Sequence, residues 1–253
     1  MPDSSLLFLA GSSLEARAKL CPMPLQTYLG VDLTSSTARP SGYAVLDEQT
    51  RLLAVGPVAT NEEILLLASH WRPRLVALDA PLSWPSDPES RGRQCELLLA
   101  HEGIGTFRTT RRTIIRPLVE RGIGLAAAVR SQGFEVIEVY PYGSKVRLFG
   151  RPIPKKTTPE GRAWLRRRLE ALVADLAGYQ GTLNHDELDA VVGAYTALLY
   201  DCGLAEEVGD PAEGQICLPL GRRGSRRPTR EGWLARCACQ PGAPLLLWGL
   251  VGA

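Results

Sequence analysis

Short apolar runs bounded by turn residues begin at Tyr28. Tyr28 to Leu33, Gly42 to Leu46 and Leu52 to Val58 follow one another closely, a spacing that predicts three strands in an antiparallel meander. The period then changes. Asn61 is placed to cap a helix through Trp71, with Glu62 and Glu63 in a first turn where the helix dipole favours acids. Arg74 to Asp79 reads as a continuous apolar strand, followed by a Pro-rich loop to Pro88. Helical spacing returns at Arg93 to His101 and at Arg116 to Gln132, and Phe134 to Tyr140 reads as a strand stopped by Pro141. Thr158 and Pro159 open a basic helix to about Ala177, and His185 to Cys202 forms another. Glu206 to Pro219 reads as a closing segment. Strands that first meander and then alternate with helices predict an α/β fold, with one mixed sheet covered by helices on both faces.

Composition changes this picture little and charge changes it more. Hydrophobic residues at 45% and charged residues at 22% of 253 positions are the ordinary globular balance, in a chain long enough to bury a substantial core. The net charge of +2 conceals an asymmetry. Nine Lys or Arg stand against one Glu between Lys145 and Arg168, and six Arg against one Glu between Gly221 and Arg236, so the remainder is acidic. Such clusters suit a polyanionic partner, or equally two solvated segments. The six Cys form no CxxC pair and, with three His, no zinc module, which predicts reduced thiols and a cytoplasmic protein. No apolar run approaches the roughly 20 residues of a membrane span, and no basic region precedes Leu6 to Ala10 as a signal peptide requires. The expected organisation is an N-terminal appendage at 1–27, a domain at 28–219 and an Arg-rich tail at 220–253.

Acids within apolar strands are the main chemical signal. Gly30-Val-Asp32-Leu, Val76-Ala-Leu-Asp79-Ala and Val136-Ile-Glu138-Val-Tyr each carry one carboxylate near the C-terminal end of a run otherwise fit for burial. A buried carboxylate costs several kcal/mol, of order 3 or more, unless it is paired, protonated or bound to metal. By strand parity Gly30 shares a face with Asp32, and Ala77 with Asp79, leaving room beside each acid. One such acid is readily explained as a strand-end group reaching solvent or capping a helix; three are harder to explain so. On the helix from His185, Asp186, Asp189, Ala190, Gly193 and Ala197 share a narrow face that can lie close to a sheet, although acids at a helix start also satisfy the dipole. Clustered carboxylates without His or Cys suit hard divalent cations such as Mg²⁺ or Mn²⁺, and a pair of such ions can drive phosphodiester cleavage.

Together these residues resemble a family. Asp32 on a first strand, the meander, Leu78-Asp79-Ala-Pro-Leu, Glu138-Val-Tyr-Pro and His185-Asp186-Glu-Leu-Asp189-Ala look like the predicted nucleases of ribonuclease H-like fold called domain of unknown function 429. Arg93-Gln-Cys-Glu96 and Gly209 to Pro219 are similar to its minor motifs. The resemblance covers about Tyr28 to Pro219. It implies a mixed five-stranded sheet, three antiparallel strands and then parallel ones, with a catalytic metal site built from Asp32, Asp79, Glu138 and Asp189. The Asp186-x-x-Asp189 spacing also looks like the last acidic motif of Holliday-junction resolvases on that fold, which adds Asp186 to the metal set. The implied function is divalent-metal-dependent hydrolysis of DNA or RNA.

Several residues carry two readings. Lys145 is either a phosphate contact or an exposed strand-end lysine. Arg166, Arg167 and Arg168 are either a solvated helix face or a nucleic-acid contact. Arg93 and Glu96 read as a helix-surface pair, and His185 as a proton carrier or a structural residue. Two rival functions stand beside hydrolysis: an ATP-binding phosphotransferase of the actin and sugar-kinase type, for which Asp32-Leu-Thr-Ser-Ser-Thr37 resembles a phosphate-holding hairpin, and a non-catalytic nucleic-acid binder.

Overall fold

The computed structural model describes residues 25–221. The expectations for residues 1–24 and for the tail from 222 onward lie outside the described residues. The meander forms as β1 (Thr27–Asp32), β2 (Ser41–Asp47) and β3 (Leu52–Val58), followed by α1 (Asn61–Trp71) and β4 (Leu75–Asp79). Then come α2 (Gln94–His101), α3 (Arg116–Ser131), β5 (Val136–Glu138), α4 (Pro141–Phe149), α5 (Pro159–Glu170) and α6 (His185–Asp201). β6 (Ala205–Val208) and β7 (Ile216–Pro219) close the order as a separate antiparallel pair.

The main sheet has five strands in the order β3-β2-β1-β4-β5, antiparallel across β3-β2-β1 and parallel across β1-β4-β5. This is the mixed five-stranded sheet, three antiparallel strands and then parallel ones, that the resemblance implied. Strand alternation splits its core in two. Tyr28 and Ala77 face a layer containing α6, whereas Leu29, Val31, Val76 and Leu78 face the layer of α1 and α3. Helix α6 approaches the sheet unusually closely: a Cβ on Gly30 would lie 2.2 Å from the Ala190 carbonyl oxygen, and one on Gly42 would lie 2.3 Å from the Asp186 carbonyl carbon. The two glycines therefore set how far α6 sinks. Its apolar side is covered too, by α4 and α5, so Glu187 to Leu199 are all buried.

The sequence reading differs from the structure at four boundaries. Thr60, not Asn61, caps α1, through a capping box in which Glu63 answers the cap. The strand expected to reach Tyr140 stops at Glu138, and Pro141 starts α4, a helix that the strand reading missed. A proline that cannot continue a strand is already set to the φ of a helix's first residue. The basic helix ends at Glu170 instead of about Ala177, because the Ala174 N–H donates to Thr50 and its carbonyl accepts from Leu52, so the edge of the sheet captures this segment's backbone. Finally, the closing segment folds as β6 and β7, with Cys217 bridging to Val139 beside β5.

Candidate active site

Asp32 and Asp79 are the last residues of adjacent parallel strands and are directly paired in register. Because Gly30 and Ala77 share their face, both carboxylates project toward α6, where Asp189 meets them from the second turn of the helix. Burial and mutual repulsion act together here. Burial, then the charge of Asp79, pushes Asp32 well above the ordinary carboxylate range. Burial and the Asp189 charge push Asp79 up to about 7, although Lys156, Lys145 and a hydrogen bond with Asp32 pull the other way.

Two lysines answer these acids. Lys145 is buried on α4, and its ammonium donates to Asp189 Oδ1 at 2.7 Å. The reading of Lys145 as an exposed strand-end residue is corrected: α4 turns it inward, where an unpaired ammonium would be costly and Asp189 supplies the partner. Lys156 was not singled out in the sequence, since the Ile153-Pro-Lys-Lys-Thr loop reads as solvated charge. Its ammonium lies 2.9 Å from Asp189 Oδ2, 3.3 Å from Asp32 Oδ2 and 3.9 Å from Asp186 Oδ1. Burial disfavours that charge, but Asp189 and Asp32 outweigh it and hold Lys156 above the usual lysine range. Asp186 sits at the rim, with the His185 Nδ1 at 2.7 Å and the Arg39 guanidinium at 3.8 Å.

Glu138 is held apart from this group. It pairs in register with Leu78, whose side chain belongs to the α1–α3 layer, so parity turns Glu138 away from the face that carries Asp79. There Arg93 clamps it with two hydrogen bonds, Nη2 to Oε1 at 2.5 Å and Nη1 to Oε2 at 2.7 Å, and the Leu82 N–H adds a third at 2.8 Å. Burial still raises the Glu138 carboxyl, and Arg93 offsets only part of it. Arg93 also reaches Glu96 Oε1 at 3.0 Å, and Glu96 accepts from the N–H and the hydroxyl of Thr109, both at 2.9 Å. The surface-pair reading of Arg93 and Glu96 is thus corrected: each is 1% exposed. Their i, i+3 spacing is the same on a surface helix, so sequence alone carried no sign of burial.

Asp32, Asp79, Glu138, Asp186, Asp189 and Lys145 nevertheless line one cleft of about 680 Å³. The basic helix contributes nothing to it. Arg166 is turned inward, donating to the carbonyls of Leu176, Tyr179 and Gly181 and pairing with Glu170, so it fastens the segment after α5. Arg168 lies over the Trp164 ring, while Arg167 is exposed. In the hairpin resembling a phosphate holder, the Thr34 N–H donates to Ser41 Oγ, and Arg121 engages the Thr34 carbonyl and hydroxyl.

Asp32, Asp79 and Asp189 are hard oxygen donors, the type Mg²⁺ and Mn²⁺ take. With the Lys156 ammonium among them, no three acidic, His or Cys side chains of the described residues stand as a metal-holding group. The donor types suit a divalent cation, but with Lys156 at 2.9 Å from Asp189 and 3.3 Å from Asp32 their arrangement is not one that holds it.

No curated protein matches the chain. Among solved structures, RuvC from Thermus thermophilus aligns over 70% of this chain and 97% of its own, at 15% identity and a TM-score of 0.43. The family model described as Protein of unknown function (DUF429) matches residues 30–214, from the middle of β1 to just before β7. That span is well over half of the chain and takes in Asp32, Asp79, Asp186, Asp189 and both lysines, so the chain belongs to the DUF429 family.

Proposed function

We propose that this chain hydrolyses phosphodiester bonds of nucleic acid, using a divalent metal ion held by Asp32, Asp79 and Asp189, with Asp186 at the rim. The observation that carries the reading is the register pairing of Asp32 with Asp79 at the C-terminal ends of parallel strands, with Asp189 brought onto them by α6. Strand ends of open α/β sheets are where ligands bind, and the Asp32 and Asp79 carboxyls, both raised by burial and by neighbouring acid charge, favour an added cation. A bound ion would act as a Lewis acid on a phosphoryl oxygen. The chain's own residues supply the rest. Gly30 and Gly42 seat α6 so that Asp189 arrives at the strand ends, and Lys145 fixes the orientation of its carboxylate. Lys156 and Lys145 are cations beside the acids and can take non-bridging phosphate oxygens. Glu138, engaged by Arg93 and Leu82, holds the opposite wall and is assigned a positioning role. The phosphotransferase reading is disfavoured because the Thr34 N–H is committed to Ser41 Oγ and the Thr34 hydroxyl to the carbonyls of Ser36 and Arg39.

Labelled single-stranded, double-stranded, hybrid and branched nucleic acids, incubated with Mg²⁺, Mn²⁺ or EDTA, test the proposal. Cleavage should require the ion and disappear in D32N and D79N. Mg²⁺ at about 100 times its dissociation constant should stabilise the parent protein by about 2.7 kcal/mol, and D79N by much less. No cleavage of any substrate, together with equal Mg²⁺ responses of the parent and D79N, would remove the reading and leave a non-catalytic binder.

A further inference from the structure

Opposite the acids, the cleft has a wall of a different character. The segment from Gly103 to Val119 joins α2 to α3 and runs into the first turn of α3, with four arginines and no acid. Phe107 is 69% exposed and Ile114 is 83% exposed, and both line the same cleft as Asp32, Asp79 and Asp189. This exposure is built. Thr109 is tied at its N–H and hydroxyl to the buried Glu96, and the Tyr140 hydroxyl donates to the Gly105 carbonyl at 2.6 Å, so the loop is pinned on both sides of Phe107. Arg108 and Arg112 are exposed and make no ion pair with described residues.

Two large apolar side chains held in water are unfavourable unless something covers them. The cover must suit arginines on one side and a cleft that handles a phosphate on the other. Resting on the proposed reaction, we infer that this loop is the base-binding wall of the site, and that the substrate is a polynucleotide with unpaired bases next to the cut phosphate. An unpaired base offers a flat apolar face to Phe107 and Ile114, while its neighbouring phosphates meet Arg108 and Arg112. A fully paired duplex keeps its base faces stacked and cannot cover these side chains. The acid floor of the cleft disfavours the other partner such a basic and apolar loop suits, an anionic lipid surface.

Binding without turnover tests this separately from the reaction. Full-length protein in EDTA is titrated into a fluorescent single-stranded 20-mer, the matching duplex and vesicles containing anionic lipid, with a 2-aminopurine version of the single strand reporting stacking. The single strand should bind at least tenfold tighter than the duplex. F107A should lose about tenfold on the single strand and the 2-aminopurine signal, with the melting temperature and the salt slope unchanged. R112A should lower the salt slope by about 1 and leave the stacking signal. Equal binding of strand and duplex, unchanged single-strand binding by F107A, Phe107-dependent vesicle binding or no polynucleotide binding would each overturn the inference. Mg²⁺-dependent cleavage with undiminished turnover by F107A would sink the wall and leave the reaction standing. Phe107-dependent strand binding by a protein that cuts nothing would do the reverse.

Discussion

Two clusters of buried charge flank the cleft, and they are settled in opposite ways. In the Arg93–Glu138–Glu96 cluster both Glu138 oxygens are occupied, the contact with Arg93 is bidentate, and Thr109 completes the Glu96 carboxylate. In the aspartate cluster, burial and the Asp79 charge hold the Asp32 pKa up, burial and the Asp189 charge hold that of Asp79 up, and the cations come from a helix on one side and a loop on the other. A buried charge whose partners are complete stiffens a wall, whereas a cluster with acid to spare has capacity for another cation. The difference lies in how far hydrogen-bonding positions are filled, since both clusters contain acids and bases at contact distance.

The largest way to break the comparison is Arg93→Met. It leaves Glu138 and Glu96 buried without their shared cation, and removing one partner of a buried pair costs about 3–5 kcal/mol. A fall in melting temperature of roughly 10 °C is expected by calorimetry. A loss of about 1 °C would show that the cluster is wetter and looser than its geometry implies.

In the aspartate cluster the sign reverses. The Asp79 carboxyl is raised to about 7, so the folded chain holds a proton that the unfolded chain gives up near pH 4. Folding is then favoured at low pH, and that contribution is lost as pH rises from about 4 through 7. In chelator-treated protein, Asp79→Asn should therefore be more stable than the parent at pH 8, by about 1 kcal/mol or a few degrees, and the gain should vanish toward pH 4. Melting curves of both proteins across this range decide it. A destabilised D79N at pH 8 would mean that the two lysines already neutralise the cluster.

How much of this was legible in the sequence follows from what each residue's position depends on. Asp32 and Asp79 could be read because each ends its own apolar strand with a small residue two positions before it, and parity within one strand is visible in sequence. The narrow face of α6 was visible for the same reason, in helical periodicity. Glu138 also ends an apolar strand, though with Val136 two positions before it, and which face it takes depends on the register of β5 against β4, where a one-residue offset sends it to the other layer. Arg93 and Glu96 carried the opposite ambiguity: charged residues are rarely buried unless paired, and Glu138, the partner that lets Arg93 be buried, lies 45 positions away. Lys156 had no signal at all, since a lysine in a Pro- and Thr-rich loop looks solvated until the fold brings the loop over the acids.

The two lysines give the finest form of the comparison. The Lys145 side chain is 4% exposed and held by α4, whereas that of Lys156 is 41% exposed and belongs to the loop before α5. Removing Lys145 charge should behave like Arg93→Met on a smaller scale, because Asp189 loses a partner that cannot be replaced by solvent. Lys156 is different. Its ammonium is close to Asp32, Asp189 and Asp186 at once, so a divalent cation entering the site meets its repulsion until the side chain swings into water. A unit charge about 4 Å from a divalent ion costs about 8 kcal/mol at an effective dielectric of 20 when unscreened, but partial exposure and a flexible stem reduce this to well under 1 kcal/mol. Lys156→Met should therefore bind Mg²⁺ about threefold tighter by calorimetric titration, with little change in the melting temperature of the chelated protein. Weaker Mg²⁺ binding in K156M would reverse the assignment, making Lys156 an organiser of the acids instead of a competitor for their charge.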